Sequence, residues 1–375
     1  MNLFKAILPV LLVAVLGECS YFGKPVYKAS PVVRVFLSKG KEFTILAYKN
    51  FLLTVDTRKE VGTGDLHVAY APGGIMLNGD LYHTAVLEVM PSQYFLLDGN
   101  AYRGTLRITN TGEELWVLNI IDIESYLYGV VAAEVPATWS IEALKAQAVA
   151  ARTYALFDIM LARQSGQSFD VFADTRSQVY NGISQENKFA VAAVELTHGE
   201  VIEFDGKIIQ AFFHACSGGM TEDGSYVFGN QKTYLSSVSS PYSQKVNDHY
   251  NWECSIPLKD LKAKFGNMLP GKIVAVNVLT RTPSKRIDTI EIGDDEGNKI
   301  VLKGNEFRLM VGAAMMKSTR ANIKIEGDQL LIAGVGYGHG VGMGQWDAYG
   351  MAVSGYKYKD ILTFFYKGTV IEKIW

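Results

Sequence analysis

The chain is poor in cysteine and histidine, with three and six among 375 residues. If an exported leader is cut after Cys19, or if Cys19 is lipidated, only Cys216 and Cys254 are left to pair. One disulfide can then form in an oxidising compartment, and two unpaired small hydrophobes are an equal reading. An excess of charge is lacking too, since 36 basic and 38 acidic residues leave a net charge of -2. That argues against a polyanion-binding surface, so no nucleic acid is expected as a partner. Charged residues make up 20% against 48% hydrophobic, which argues against disorder. Beyond the N-terminus no apolar run approaches the roughly 20 residues that span a bilayer, and no repeat or low-complexity tract is visible.

The N-terminus itself carries information. Lys5 precedes an apolar run over 6–16 that ends in Gly17, Glu18, Cys19 and Ser20. A positive start, a run too short to span and a small-residue end outline an export signal over residues 1–19. Cys19 could be a lipid anchor, although Glu18 stands where lipoprotein signals carry a small residue. The expected location is the cell envelope, in a periplasm or at the outer face of the cytoplasmic membrane.

From 32 to about 120, short runs alternate apolar and polar residues and are broken by glycines, as in Val33, Val35, Leu37 and then Phe43, Ile45, Ala47. This predicts a β-rich N-terminal part. The period then changes. Ile141, Leu144, Ala148, Ala151, Ala155 and Ile159 recur every three or four residues and predict an amphipathic helix over 140–164, with Ser140 as N-cap. Strand-like runs return at 201–204, 208–214, 274–279, 289–292 and 323–325. A short helix at 358–366 and a closing strand follow. The polar stretch 236–251 and the basic turn 281–286 read as surface loops. The expected fold is mixed α/β (α+β) and dominated by antiparallel sheet, with one main helix buried against it.

The chemistry is densest at 127–139, LYGVVAAEVPATW, running into 141–155, IEALKAQAVAARTYA. Glu134 follows an apolar run, and such a setting favours a protonated carboxyl able to donate to a leaving oxygen. A carboxylate ahead of a helix can also do no more than interact with the helix dipole, and from spacing alone that is the simpler reading.

These segments resemble the stage II sporulation protein D (SpoIID) family, to which amidase-enhancer proteins are related. The resemblance continues in Asp174, in Gln178, Val179, Tyr180 and Gly182, and in Thr197 and Gly199. It is carried further by His214, Ser217, Gly218, Gly219 and Thr221, by the run 336–343, and by Ile361, Leu362 and Tyr366 to Thr369. It implies a catalytic core over 121–375. The implied activity is that of a peptidoglycan lytic transglycosylase acting on glycan without stem peptides, with Glu134 as acid/base and no cofactor. Because the C6 hydroxyl of the substrate's own muramic acid closes an anhydro ring, a second carboxylate is not required. A hydrolytic muramidase would want one, and Asp122, Glu124 and Asp174 are the candidates.

The same resemblance assigns Lys145, Gln147 and Arg152 to the substrate groove or to the support of Glu134. A solvated helix face is the plainer alternative. Arg152, a guanidinium among alanines, needs a partner, and the lactyl carboxylate of muramic acid would suit it. Gln178, Tyr180, His214, Ser217, Gly218 and Gly219 join the substrate set. The glycine-rich run 334–344 lacks the lysine and hydroxyl residue of a phosphate loop. It would instead let backbone approach sugar, with Gly340 in it, His339 donating to a glycan oxygen, and Gln345 and Trp346 binding and stacking beside it. Here the sequence departs from the family, which has serine at the position of Gly344 and glycine at that of Asp347. His214, Cys216, His249 and Cys254 supply the residue types of a zinc site but match no standard finger spacing. Expected partners are glycan strands and a cell-wall amidase acting upstream. A non-catalytic enhancer of such an amidase, or a scaffold that only grips glycan, would use the same groove.

Overall fold

The computed structural model describes residues 29–229 and 232–375, so the export signal and Cys19 lie outside the described residues. The period-2 pattern of the N-terminal part becomes an eleven-stranded sheet. In strands Val32–Gly40 and Glu42–Val55 the alternate residues Val33, Val35, Phe43 and Ile45 are buried, as the pleat requires. Pairing is antiparallel except at Val171–Phe172, which runs parallel to Val32–Gly40. The fold is the mixed α+β, antiparallel-dominated one expected.

Eight helices are present among the described residues: α1 (Ile123–Glu134), α2 (Ile141–Gln164), α3 (Lys188–Leu196), α4 (Gly224–Phe228), α5 (Leu258–Phe265), α6 (Gly304–Val311), α7 (Gln345–Val353) and α8 (Tyr358–Phe365). The sequence reading missed α1: Ile123, Tyr126, Leu127, Val130 and Val131 form its buried face, but the less buried positions carry Tyr128, Ala132 and Ala133, leaving little amphipathic contrast. Strand Leu115–Asp122 passes straight into α1, and the Asp122 carboxylate caps it by accepting from the Ser125 N–H at 3.0 Å. The helix stops at Glu134 because Pro136 disfavours helical geometry one residue earlier. Val135 accordingly lies at φ −139°, ψ 147°. Helix α2 matches its expected span, but Ser140 makes no side-chain capping bond.

Three buried clusters organise the molecule. The first joins the large sheet to α1, to α3 and to one side of α2. The second joins Ala146, Val149 and Ala150 of α2 to α7, α8 and the run 341–343. The third belongs to an inserted unit between Asn251 and Val335, where α5 and α6 cover two three-stranded sheets. Asn251 pairs with Val335 at its neck, and the Gly336 N–H donates to the Tyr250 carbonyl at 2.8 Å, so the chain leaves where it entered.

Two loop expectations are corrected. Within 236–251, Ser240 and Ser243 are fully buried, and in the turn at 281–286 Arg286 is buried while Arg281 and Lys285 stay exposed. Hydroxyls and a guanidinium enter the interior because each finds partners there: Ser240 on Asp347, and Arg286 on the carbonyls of Met220 and Ser217.

A candidate acid site around Glu134

Glu134 is the last residue of α1, at the negative end of that helix's dipole rather than ahead of a favourable N-terminus. The dipole reading is thereby corrected. Each carboxylate oxygen has one neutral donor: the Val179 N–H at 3.2 Å on Oε1, and the Gln345 amide at 3.1 Å on Oε2. No cation among the described residues is paired with it. Burial holds its pKa above the usual carboxylate value, outweighing the two hydrogen bonds that pull the other way.

The donors come from well-separated parts of the sequence. Val179 is fixed by its neighbours, since Gln178 is buried, accepting from the Tyr126 hydroxyl at 3.3 Å and donating to the Ala151 carbonyl at 3.3 Å. Tyr180 donates to Asn119 at 2.9 Å. Both side chains are buried on protein partners and hold in place the amide between them. Gln345 opens α7, with Trp346 next to it. The Trp346 ring meets Trp139 edge-on at 4.9 Å, and Trp139 stacks on Tyr349 at 4.8 Å.

Other expected substrate residues are placed elsewhere. Arg152 is wholly buried. Its guanidinium donates to Glu124 at 2.7 and 3.0 Å, to the carbonyls of Val194 and Glu200, and to Thr197, leaving nothing for a lactyl carboxylate. Lys145 forms an ion pair with Glu142 at 3.2 Å and lies over the Tyr358 ring at the α8 contact. His339 accepts the Val341 N–H at Nδ1 and contacts the Phe213 carbonyl through Nε2 at 3.0 Å, so both ring nitrogens are used internally. His214 is buried against the Val341 carbonyl, with its pKa far below the usual imidazole value through burial. Ser217 is held by Asp347, and Gly218 by Tyr250 and Arg320. Gly219 donates to the Ser217 hydroxyl.

Part of the glycine-rich run lies close against protein. Gly340 has φ 89°, and a Cβ there would come 2.6 Å from the Arg286 guanidinium carbon. Gln147 is 1% exposed on α2, and neither its amide nitrogen nor its oxygen has a partner among the described residues.

The proposed second carboxylates are each engaged by groups of the protein. Asp122 caps the opposite end of the twelve-residue α1, roughly 18 Å away at 1.5 Å per residue. Glu124 is spent on Arg152, and Asp174 on Arg176 at 2.6 Å. The carboxyl that the sequence reading overlooked is Asp158. It accepts from Tyr154 one turn earlier on α2, and burial pushes its pKa up to about 7. Tyr154 in turn feels the charge of Glu134. Gln147, Tyr154 and Asp158, spaced by seven and four on one helix, share a face, and that spacing was the available signal.

The zinc alternative is not assembled, since among the described residues no three His, Cys, Asp or Glu side chains cluster as metal ligands. Cys216 and Cys254 are both free, Cys216 buried near the 217–219 loop and Cys254 half-buried against the core of the inserted unit. The disulfide is not formed.

Residues 111–204 match the family model described as stage II sporulation protein, and residues 228–342 match a domain of unknown function, DUF8618. The chain is 35% identical over 279 residues to an uncharacterized protein of Brachyspira hyodysenteriae, covering 74% of each. To the stage II sporulation protein D of Bacillus subtilis it is 32% identical over 267 residues, covering 68% of this chain and 75% of that one. The amidase enhancer of Bacillus subtilis is 30% identical over 341 residues, covering 76% of this chain but 46% of the relative. With that cover and identity, and with the signature segments gathered around one desolvated glutamate, the chain belongs to the stage II sporulation protein D family.

Proposed function

We propose that this protein cleaves the glycan strands of peptidoglycan as a lytic transglycosylase acting on strands without stem peptides. Its family supports a cell-wall role and an envelope or exported location. The observation that carries the finer reading is Glu134 itself, a carboxyl with a raised pKa, two neutral donors and no cation. With Val179 and Gln345 each holding one oxygen, the carboxyl plane is fixed, and its proton is available to a glycosidic oxygen. As the bond breaks, an oxocarbenium-like sugar develops. The carboxylate left behind then takes the proton of the C6 hydroxyl while that oxygen closes on C1. No water is consumed, and Asp122, Glu124 and Asp174 are not needed. Trp139, Trp346 and Tyr349 supply an apolar wall beside the Gln345 contact.

Residues 1–19 direct export in this reading, with Cys19 as a lipid anchor where the signal peptidase permits it. The experiment is a digest of denuded glycan followed by mass spectrometry. Products ending in 1,6-anhydro-muramic acid support the reading, and products one water heavier make the protein a hydrolytic muramidase. A second reading, favoured by the relative named an amidase enhancer, is a non-catalytic partner of a cell-wall amidase; it would yield no glycan fragments at all.

A further inference from the structure

A cleft of about 800 Å³ opens at the neck of the inserted unit, away from Glu134. Its floor is the sheet formed by strands Asn251–Pro257, Gln329–Val335 and Ala321–Glu326. Three cations line it, Arg281, Lys285 and Arg320, against one carboxylate, Glu253. None of the three cations has a carboxylate partner among the described residues. Arg281 donates to the carbonyls of Lys285 and Ala321 and to Asn322, which fixes the guanidinium without neutralising it. Arg320 donates to the Gly218 carbonyl. Lys285 stands on an exposed turn at φ 67°. Trp252 also lines the cleft, and its buried indole N–H has no acceptor among the described residues. Unneutralised cations held in place around an open cleft make a site for an anionic ligand.

The cleft is joined to the glutamate site through one loop. Gln345, on Glu134, begins α7. Asp347 of that helix holds Ser217, and the next residue, Gly218, is held by Arg320 at the rim of the cleft. We infer that the cleft is a second binding site for a carboxylate-bearing glycan, gripping lactyl carboxylates of the same strand at a distance from the bond that is cut. The choice of ligand rests on the proposed function. The alanines and Val335 on the floor suit sugar rings better than a flexible phosphodiester chain, which has no ring face to lay on them.

The test uses the full chain carrying Glu134→Gln, so that the polymer stays intact, with and without Arg281→Gln and Lys285→Glu. Binding is measured by co-sedimentation with denuded glycan, with the same glycan after its carboxylates are amidated, and with a phosphodiester polymer. The expected results are an affinity loss of about tenfold or more for the double variant, a similar loss for the parent on amidated glycan, and weaker binding to the phosphodiester. Lys285→Glu alone, at an exposed turn, repeats the test if the double variant melts early. Equal binding by parent and variant, indifference to amidation, or a preference for the phosphodiester would each overturn the inference. The two readings fail separately. If wild type does not cut glycan while binding depends on Arg281 and Lys285, the function fails and this site stands; cutting by wild type with unaltered binding by the variant gives the reverse.

Discussion

Gly344 and Asp347 occupy each other's space: a Cβ on Gly344 would come 2.2 Å from Oδ2 of Asp347. These are the two positions at which the sequence differs from the serine and glycine that the family resemblance implies. The Asp347 carboxylate is fully buried and accepts at 2.9 Å from the Ser217 N–H, the Ser217 hydroxyl and the Ser240 hydroxyl. Gly344 has φ −80° and ψ 122°, which any residue can adopt, so glycine is required there by the neighbouring carboxylate alone. The two departures are one exchange, in which an aspartate anchors the 217–219 loop.

The exchange predicts a non-additive cycle. Gly344→Ser should cost about 1–3 kcal/mol through overpacking, and Asp347→Gly a similar amount through orphaned donors. The double variant should recover at least about 1 kcal/mol of the sum. Denaturant melts of the four proteins measure this, and strict additivity would contradict it.

Glu134→Gln should remove at least about 99% of glycan cleavage, since general acid–base steps contribute about a hundredfold or more. The thermal midpoint should change little, because the new amide oxygen still accepts from the Val179 N–H and its NH2 can donate to the Gln345 oxygen once that side-chain amide turns over. Activity of the variant within a few-fold of wild type would mean that another group is the acid.

Gln345→Leu should move the pH profile. Cleavage needs Glu134 protonated, so activity declines as pH rises through its pKa. The Gln345 donor lowers that pKa, and its loss raises it further. The alkaline limb of kcat/KM should therefore shift to higher pH. A shift downward, or none, would show that the amide does not tune the acid.

Arg152→Gln should destabilise the protein by about 3–5 kcal/mol, because Glu124 would be left charged in the interior. A substrate ligand would behave differently, raising KM with the melting temperature unchanged. Measuring both on one preparation separates the roles.

Asp158→Asn tests the overlooked carboxyl through stability. A folded pKa near 7, above the unfolded value of 3.8, means that the native state binds the proton more tightly. That contribution is complete below about pH 4 and lost as pH rises through about 7. Wild type should thus lose about 1–2 kcal/mol across this window, a figure reduced from the full shift because the side chain is half-buried. The variant should lack this slope, which melts from pH 4 to pH 8 will show.

Much of the molecule was determined by sequence alone. Period-2 alternation gave the strands of the large sheet, and the recurrence of Leu144, Ala148, Ala151 and Ala155 gave α2 with its ends. In those elements the hydrophobic pattern is local, and it reports directly on the face that is buried. The tail helix and the family-like segments around Glu134 were equally legible. Helix α1 was not, because apolar Tyr128, Ala132 and Ala133 on its less buried positions weaken the periodic contrast. Side-chain roles were the least legible of all. Arg152, Gln178, Tyr180 and His339 look like ligands when read in line. Whether a polar group meets substrate or protein depends on partners 28, 27, 61 and 126 residues away, at Glu124, Ala151, Asn119 and Phe213. Tertiary structure alone set Val179 and Gln345 on one carboxylate, since hydrogen bonds reach about 3 Å through space whatever the separation along the chain.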